Sequence, residues 1–131
     1  MKRDIEVFIG NDGSDTKLSV DFLKQYPYRI QYHYFEHGGL AATRYKLQCL
    51  ATADYIMFCD ADDWFISTIA LDLILRTAAS GYDAIICDFL EEHPQAYIPH
   101  HDDSVFVHGK VYRRQFLVDN RIEWNPNLRE H

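Results

Sequence analysis

The feature that most constrains this chain is the stretch Tyr55-Ile56-Met57-Phe58-Cys59-Asp60-Ala61-Asp62-Asp63-Trp64. Its consecutive apolar and aromatic residues, without polar alternation, predict a short strand buried on both faces. The run ends in three carboxylates: Asp60, Asp62 and Asp63. Like charges packed so closely are costly unless a cation joins them or they point into water. In an open α/β sheet, ligands bind beyond the carboxyl ends of the strands, where these acids would lie. Hard divalent cations such as Mg²⁺ and Mn²⁺ take oxygen ligands, typically a carboxylate or two together with the phosphates of a substrate. The residues alone therefore allow a metal–phosphate site or a solvated acidic turn after a core strand.

The flanking sequence supplies a frame for such a strand. Residues 5–10 are rich in β-formers and end in Asn11-Asp12-Gly13-Ser14-Asp15, a turn cluster. Residues 18–26 have helical spacing, with Leu18, Phe22 and Leu23 on one face, and stop at Pro27. Asp12 would sit at the exit of its strand, beside the Asp60 group if the two strands run parallel. The turn needs no function, however, beyond reversing the chain. Residues 29–35 predict a second strand, followed by Glu36-His37-Gly38-Gly39. Helical spacing begins at Leu40, with Leu47 and Leu50 on the same face and Arg44 one turn in. A glycine pair opening a helix can offer free amides and the helix dipole to an anion, or can be only a turn.

Downstream, Ser67 as N-cap, an inner face of Ile69, Ala70, Leu73, Ile74 and Ala78, and Gly81 as stop predict another helix. Residues 84–89 read as a further buried strand. This alternation predicts an α/β fold: a mostly parallel open sheet with crossover helices, in a single domain spanning residues 1–131. Residues 91–103 contain His93, His100, His101, Asp102 and Asp103. Their spacing matches no zinc pattern, and the prolines predict a surface loop. Residues 105–107 are expected as a strand and residues 113–120 as a short helix.

Bulk properties exclude some partners. A formal charge of −7 with no basic stripe argues against nucleic acid. There is no apolar run of membrane-spanning length and no signal peptide, so a cytoplasmic location is expected. Cys49, Cys59 and Cys87 are odd in number and lack paired metal spacing. Two of them fall in expected core strands and read as reduced, buried thiols.

Four segments, taken together, resemble a family. Asn11-Asp12-Gly13-Ser14-Asp15 is similar to the Asp-Asp-Gly-Ser-x-Asp signature of family 2 glycosyltransferases. Gly39-Leu40-Ala41-Ala42-Thr43-Arg44 resembles their Gly-Leu-Ser-x-Ala-Arg helix start, and Asp60-Ala61-Asp62-Asp63-Trp64 their Asp-x-Asp-Asp-Trp. Gly109-Lys110-Val111-Tyr112-Arg113-Arg114 resembles the Gly-Lys-Leu-Tyr-Arg-Arg of bacterial members. The resemblance implies a nucleotide-diphospho-sugar transferase fold of the Rossmann-like GT-A type. It also implies inverting transfer of a sugar from a nucleotide-diphosphate donor, a UDP-sugar by the family's commonest usage, to a saccharide or lipid-linked acceptor. By the same resemblance, Asp12 would hold the nucleotide base and Arg44 would lie near the nucleotide. Asp60 and Asp62 would form the Asp-x-Asp pair, with Asp62 on a Mn²⁺ or Mg²⁺ ion that bridges the diphosphate.

Measured against the family pattern, this sequence begins one strand–helix unit late. It reads Arg129-Glu130-His131 where members carry a Glu-Asp pair with the catalytic aspartate. The expectation is thus a truncated form with its base unassigned: His131 is the proton acceptor that this position offers, and it would be poorly fixed. Self-association through an exposed sheet edge would result from the missing strand. Two other functions compete: a nucleotide-sugar-binding module without turnover, and an aspartate-nucleophile phosphatase using Asp60.

Overall fold

The computed structural model describes residues 5–16, 18–101 and 107–127. They form two compact units, one from the described residues of Met1–Ala53 and Arg121–His131, the other from Asp54–Asn120.

In the first unit, β1 (Glu6–Asp12) and β2 (Arg29–Phe35) pair in parallel, from Glu6 opposite Arg29 to Asp12 opposite Phe35. Helix α1 (Leu40–Leu50) packs against β1. They pack tightly at Gly10, where an added Cβ would lie 2.9 Å from both Leu47 Cδ1 and Thr43 Cγ2. The buried positions of α1 are Ala41, Ala42, Thr43 and Arg44, while Leu40 and Leu50 stay exposed. The helix expected over residues 18–26 shrinks to a 3₁₀ turn, Asp21–Gln25, that buries nothing. Leu18 and Phe22 remain exposed, so no packed face sustains a longer helix.

In the second unit, β3 (Tyr55–Met57) is followed by α2 (Ala70–Ala78) and β4 (Ala84–Ile86). Next come β5 (Phe89–His93), β6 (Ala96–His100), β7 (Lys110–Arg113) and α3 (Arg114–Asp119). The α/β class holds, but the mostly parallel open sheet does not. Among the described residues, the one parallel pair is β1–β2; β7 runs antiparallel between β3 and β4, and β5–β6 is an antiparallel hairpin. The reason lies in the crossover. β3 and β4 do run in the same direction, as a strand–helix–strand unit requires. The slot between them is filled by β7, which returns from later in the chain.

Opposed residues of this sheet share a face. The row Met57–Val111–Ile85 lies beneath Ile74 of α2, with Tyr55, Ala78 and Cys87 packed around it. Gly81 ends the helical segment at φ +79°, as expected of a helix stop.

Within the region expected as an irregular loop, residues 91–100 belong to the β5–β6 hairpin, which tolerates Pro99 because a two-stranded ribbon consists only of edges; Asp102 and Asp103 lie outside the described residues. Of the strand expected at 105–107, only Val107 is described, and it is in a bend. Val105 and Phe106 lie outside the described residues, and the next strand is β7. The three cysteines are free, but Cys49 and Cys59 are exposed and Cys87 is partly buried. Cys59 escapes the core because β3 stops at Met57. No described helix is long and apolar enough to cross a membrane.

Candidate functional site

In the first unit, chemistry gathers at the exit of β1. Asn11 closes the turn by accepting the Ser14 amide at 2.8 Å, and its own amide donates to the Tyr32 hydroxyl at 2.9 Å. Asp12 is held more tightly. Its Oδ1 accepts the Gly38 amide at 2.8 Å and the Thr43 hydroxyl at 2.9 Å, while Oδ2 accepts the Gly39 amide at 2.9 Å. His37 Nδ1 lies 3.0 Å from Oδ2. Burial alone would raise this carboxyl, but the Gly38 amide, Thr43 hydroxyl, Gly39 amide and His37 outweigh it and hold Asp12 below its ordinary value. The glycine pair before α1 does bind an anion, and that anion is Asp12. Gly13 fits the same junction: its φ is +80°, and a Cβ there would stand 2.7 Å from the His37 nitrogen.

The other end of β1 mirrors this. The Glu6 carboxylate accepts the amides of Thr52 and Ala53, each at 2.7 Å, and the Thr52 hydroxyl. Burial again opposes, yet Thr52, Ala53 and Arg29 hold Glu6 low. One strand thus clamps the chain just before and just after α1 with its two terminal carboxylates. Arg44, only 7% exposed, sets its guanidinium 4.7 Å from the centre of the Trp124 ring.

In the second unit, the acids after β3 meet a residue from far along the chain. A turn closes from the Asp63 amide to the Asp60 carbonyl at 3.1 Å. His108 Nδ1 lies 2.9 Å from Asp63 Oδ2. Ligand atoms of Asp60, Asp63 and His108 all lie within 4.8 Å of one another, a group that could hold a metal ion. The position of His108 depends on Gly109, whose φ of +67° and contact with Cys87 exclude a side chain: a Cβ would sit 2.7 Å from the Cys87 carbonyl oxygen. Phe89 flanks His108 with ring centres 5.6 Å apart. Although Cys59 is exposed as a residue, its thiol is partly sheltered from solvent and is pushed up first by that desolvation and then by Asp63, Asp60 and Asp62.

These residues line an open cleft of about 1020 Å³ within the second unit. Asp62 lines the cleft but is not in the three-residue group, and Asp60 is in both. Asp12 and Arg44 belong to the first unit, Asp60 and Asp62 to the second. His131 lies outside the described residues.

The sequence groups Asp63 with Asp60 and Asp62 in a candidate metal–phosphate site, but the resemblance assigns the ligand pair to Asp60 and Asp62, and His108 is missed. Asp63 stands inside the Asp-x-Asp-Asp-Trp motif without a role of its own, and His108 immediately precedes the Gly109–Lys110 motif. Their pairing spans 45 positions, and no local spacing could have shown it.

The hairpin carries further imidazole–carboxylate pairs. Glu91 lies 3.2 Å from His93 and 2.9 Å from His100, and Asp88 lies 2.8 Å from His101. His100 stacks on Phe89 at 4.6 Å. Among the described residues, these do not form a second three-ligand group.

The sequence pattern of Glycosyl transferase family 2 matches residues 1–126. No curated protein matches, and no solved structure does.

Proposed function

The chain belongs to glycosyl transferase family 2, and from that premise we propose metal-dependent, inverting transfer of a sugar from a nucleotide-diphosphate donor to an acceptor hydroxyl. The observation that carries this reading is the Asp60–Asp63–His108 group at the exit of β3, lining a cleft large enough for a substrate.

The donor set fits a divalent ion. Octahedral metal–oxygen bonds of about 2.1 Å place neighbouring ligand atoms roughly 3 Å apart and opposite ones roughly 4.2 Å apart. Atoms already within 4.8 Å need to close only slightly. A bound ion would neutralise the charge that develops on the leaving diphosphate. Two carboxylates with one imidazole suit Mn²⁺ better than Mg²⁺, because Mg²⁺ takes oxygen and imidazole favours transition metals. Asp62, on the same cleft, would complete the site or meet the donor.

The remaining roles fall to the chain itself. Asp63 fixes the His108 ring through Nδ1, and Gly109 lets the strand pass close enough to Cys87 to deliver that ring. In the first unit, Asp12 holds the Gly38–Gly39 segment and Thr43 in place. Its carboxylate is spent on these internal donors, so Asp12 acts on a nucleotide through the loop it shapes. Arg44 near the nucleotide remains part of the reading.

The test is thermal stability with UDP, Mn²⁺ and Mg²⁺, alone and combined, since a ligand of the native state raises stability by mass action. UDP should stabilise the protein only with a divalent ion, and Mn²⁺ should exceed Mg²⁺. Asp63→Asn and His108→Ala should each remove most of the metal-dependent shift, and His108→Ala should also narrow the Mn²⁺ preference. Shifts equal in wild type and both variants would refute the site.

A further inference from the structure

We propose that Asp88, at the exit of β4, is the base that takes the proton of the acceptor hydroxyl, with His101 as its positioning residue; this rests on the glycosyl-transfer reading above. Inverting displacement puts the base across the sugar from the groups that assist departure. Departure is assisted at the exit of β3, where Asp60, Asp63 and His108 gather. The base therefore belongs at another strand end of the same cleft.

The sheet supplies that place. Met57 and Ile85 both pair with Val111, one on each side of it, and Asp60 and Asp88 each follow by three residues. Pairing continues past β4, where the Cys87 amide donates to the Gly109 carbonyl at 2.9 Å. Asp88 thus emerges at the sheet edge that carries Asp60 and His108, with β7 between it and β3. Two strand spacings put β3 and β4 about 9–10 Å apart. From the leaving oxygen, across the anomeric carbon and the attacking oxygen, to the base takes roughly 7 Å. A diphosphate held at the acids takes up the remainder. Asp88 also lines the cleft together with Asp60, Asp63 and His108.

The hairpin orients this carboxylate. Phe89 pairs with His100, so the next residues outward, Asp88 and His101, are neighbours. His101 Nδ1 lies 2.8 Å from Asp88 Oδ2, and among the described residues Oδ1 accepts no hydrogen bond. Other acids on the cleft suit the role less. Glu91 is engaged through one oxygen by His93 and through the other by His100. Glu92 lies three residues into β5, about 10 Å from its start. Asp62 lies within the Asp60–Asp63 turn, on the side of the leaving group. In the step, a lone pair of the acceptor oxygen forms the bond to the anomeric carbon as the carbon–oxygen bond to the diphosphate breaks. The electrons of that bond leave with the nucleoside diphosphate. The hydroxyl proton passes to Asp88 Oδ1 and then to water.

Water can take the acceptor's place, so UDP release from UDP-glucose, UDP-galactose and UDP-N-acetylglucosamine is measured with Mn²⁺ on the whole chain. The wild type should hydrolyse at least one donor. Asp88→Asn should lower kcat about 10²–10⁴-fold, with KM and the Mn²⁺-dependent UDP stabilisation unchanged. Azide brings no proton to remove, so it should restore turnover in Asp88→Ala and yield the glycosyl azide. His101→Ala should lower kcat by up to about 10²-fold by misplacing the carboxylate. His101→Asn keeps a donor near the Nδ1 position and should recover most of that loss.

Hydrolysis absent from the wild type with all three donors, or equal in wild type and Asp88→Asn, would overturn the inference. A loss in Asp88→Ala that azide does not restore would overturn it too, making Asp88 structural. So would a larger loss from Glu92→Gln than from Asp88→Asn, which would give the role to Glu92. Any of these with UDP stabilisation intact refutes this inference alone, whereas absent UDP stabilisation in the wild type refutes the donor site on which it rests.

Discussion

Asp12 and Asp63 are carboxylates at comparable places, just beyond the apolar part of a strand, and the two units use them differently. Asp12 is consumed by its own chain: two amides, a hydroxyl and an imidazole converge on it. Asp63 meets an imidazole at 2.9 Å and the Asp60 backbone amide at 3.4 Å, and stands with Asp60 on an open cleft. The difference lies in the donors each acid finds within reach. After β2, a glycine pair delivers the amides at the start of a helix to Asp12. After β3, the chain runs into further acids and exposed apolar residues that supply few donors. A carboxylate with donors built around it is structural, and one that lines a cleft with fewer donors on it retains capacity for a ligand.

The largest expected effect tests the structural half. Asp12→Ala strands the Gly38 and Gly39 amides and the Thr43 hydroxyl, and hydrogen bonds to a charged group are worth about 1.5–3 kcal/mol each with strong overlap. A loss of about 2–4 kcal/mol is expected in urea unfolding, with Asp12→Asn intermediate. Unchanged stability together with lost UDP binding would make Asp12 a direct nucleotide ligand and erase the contrast.

Gly109→Ala comes next. It forces a non-glycine residue to φ +67° and a Cβ against the Cys87 carbonyl, at about 1–3 kcal/mol. Displacement of His108 should also abolish the Mn²⁺-dependent shift. Full metal response with lowered stability would separate the ring's position from the strand.

Acid should expose the same contrast. Glu6 and Asp12 have folded values below the unfolded 4.5 and 3.8. Their contribution is therefore complete above those unfolded values and is lost as pH falls through them toward the lower folded ones. The urea midpoint should decline below about pH 5, and the double variant Glu6→Gln, Asp12→Asn should flatten that decline. A decline unchanged in the double variant would place the acid sensitivity elsewhere.

The smallest effect belongs to the cleft. Asp63→Asn removes one charge from a crowded acidic turn, so stability should change by less than about 1 kcal/mol while the metal response disappears. A large loss of stability would make Asp63 structural, like Asp12.

The sequence by itself determined more of the local structure than of its assembly. β2 and α1 fall on their expected residues because local patterns specify them: a run of β-formers in one, glycines and then a helical repeat in the other. The apolar run before Asp60 marked a strand, and the motifs around Asp12, Arg44, Asp60 and Gly109 identified the family. Only the tertiary structure decided which strands pair and which donors meet. β7 enters between β3 and β4 because the crossover leaves that slot open, and a strand's own residues do not record which slot it will fill. His108 reaches Asp63 through that insertion and the glycine that precedes β7. Whether Asp12 binds a ligand or its own loop turns on the Gly38 and Gly39 amides, brought within 3 Å by the parallel pairing of β1 and β2. Hydrogen bonds and ligand shells are made between residues distant in the chain, so tertiary structure settles them.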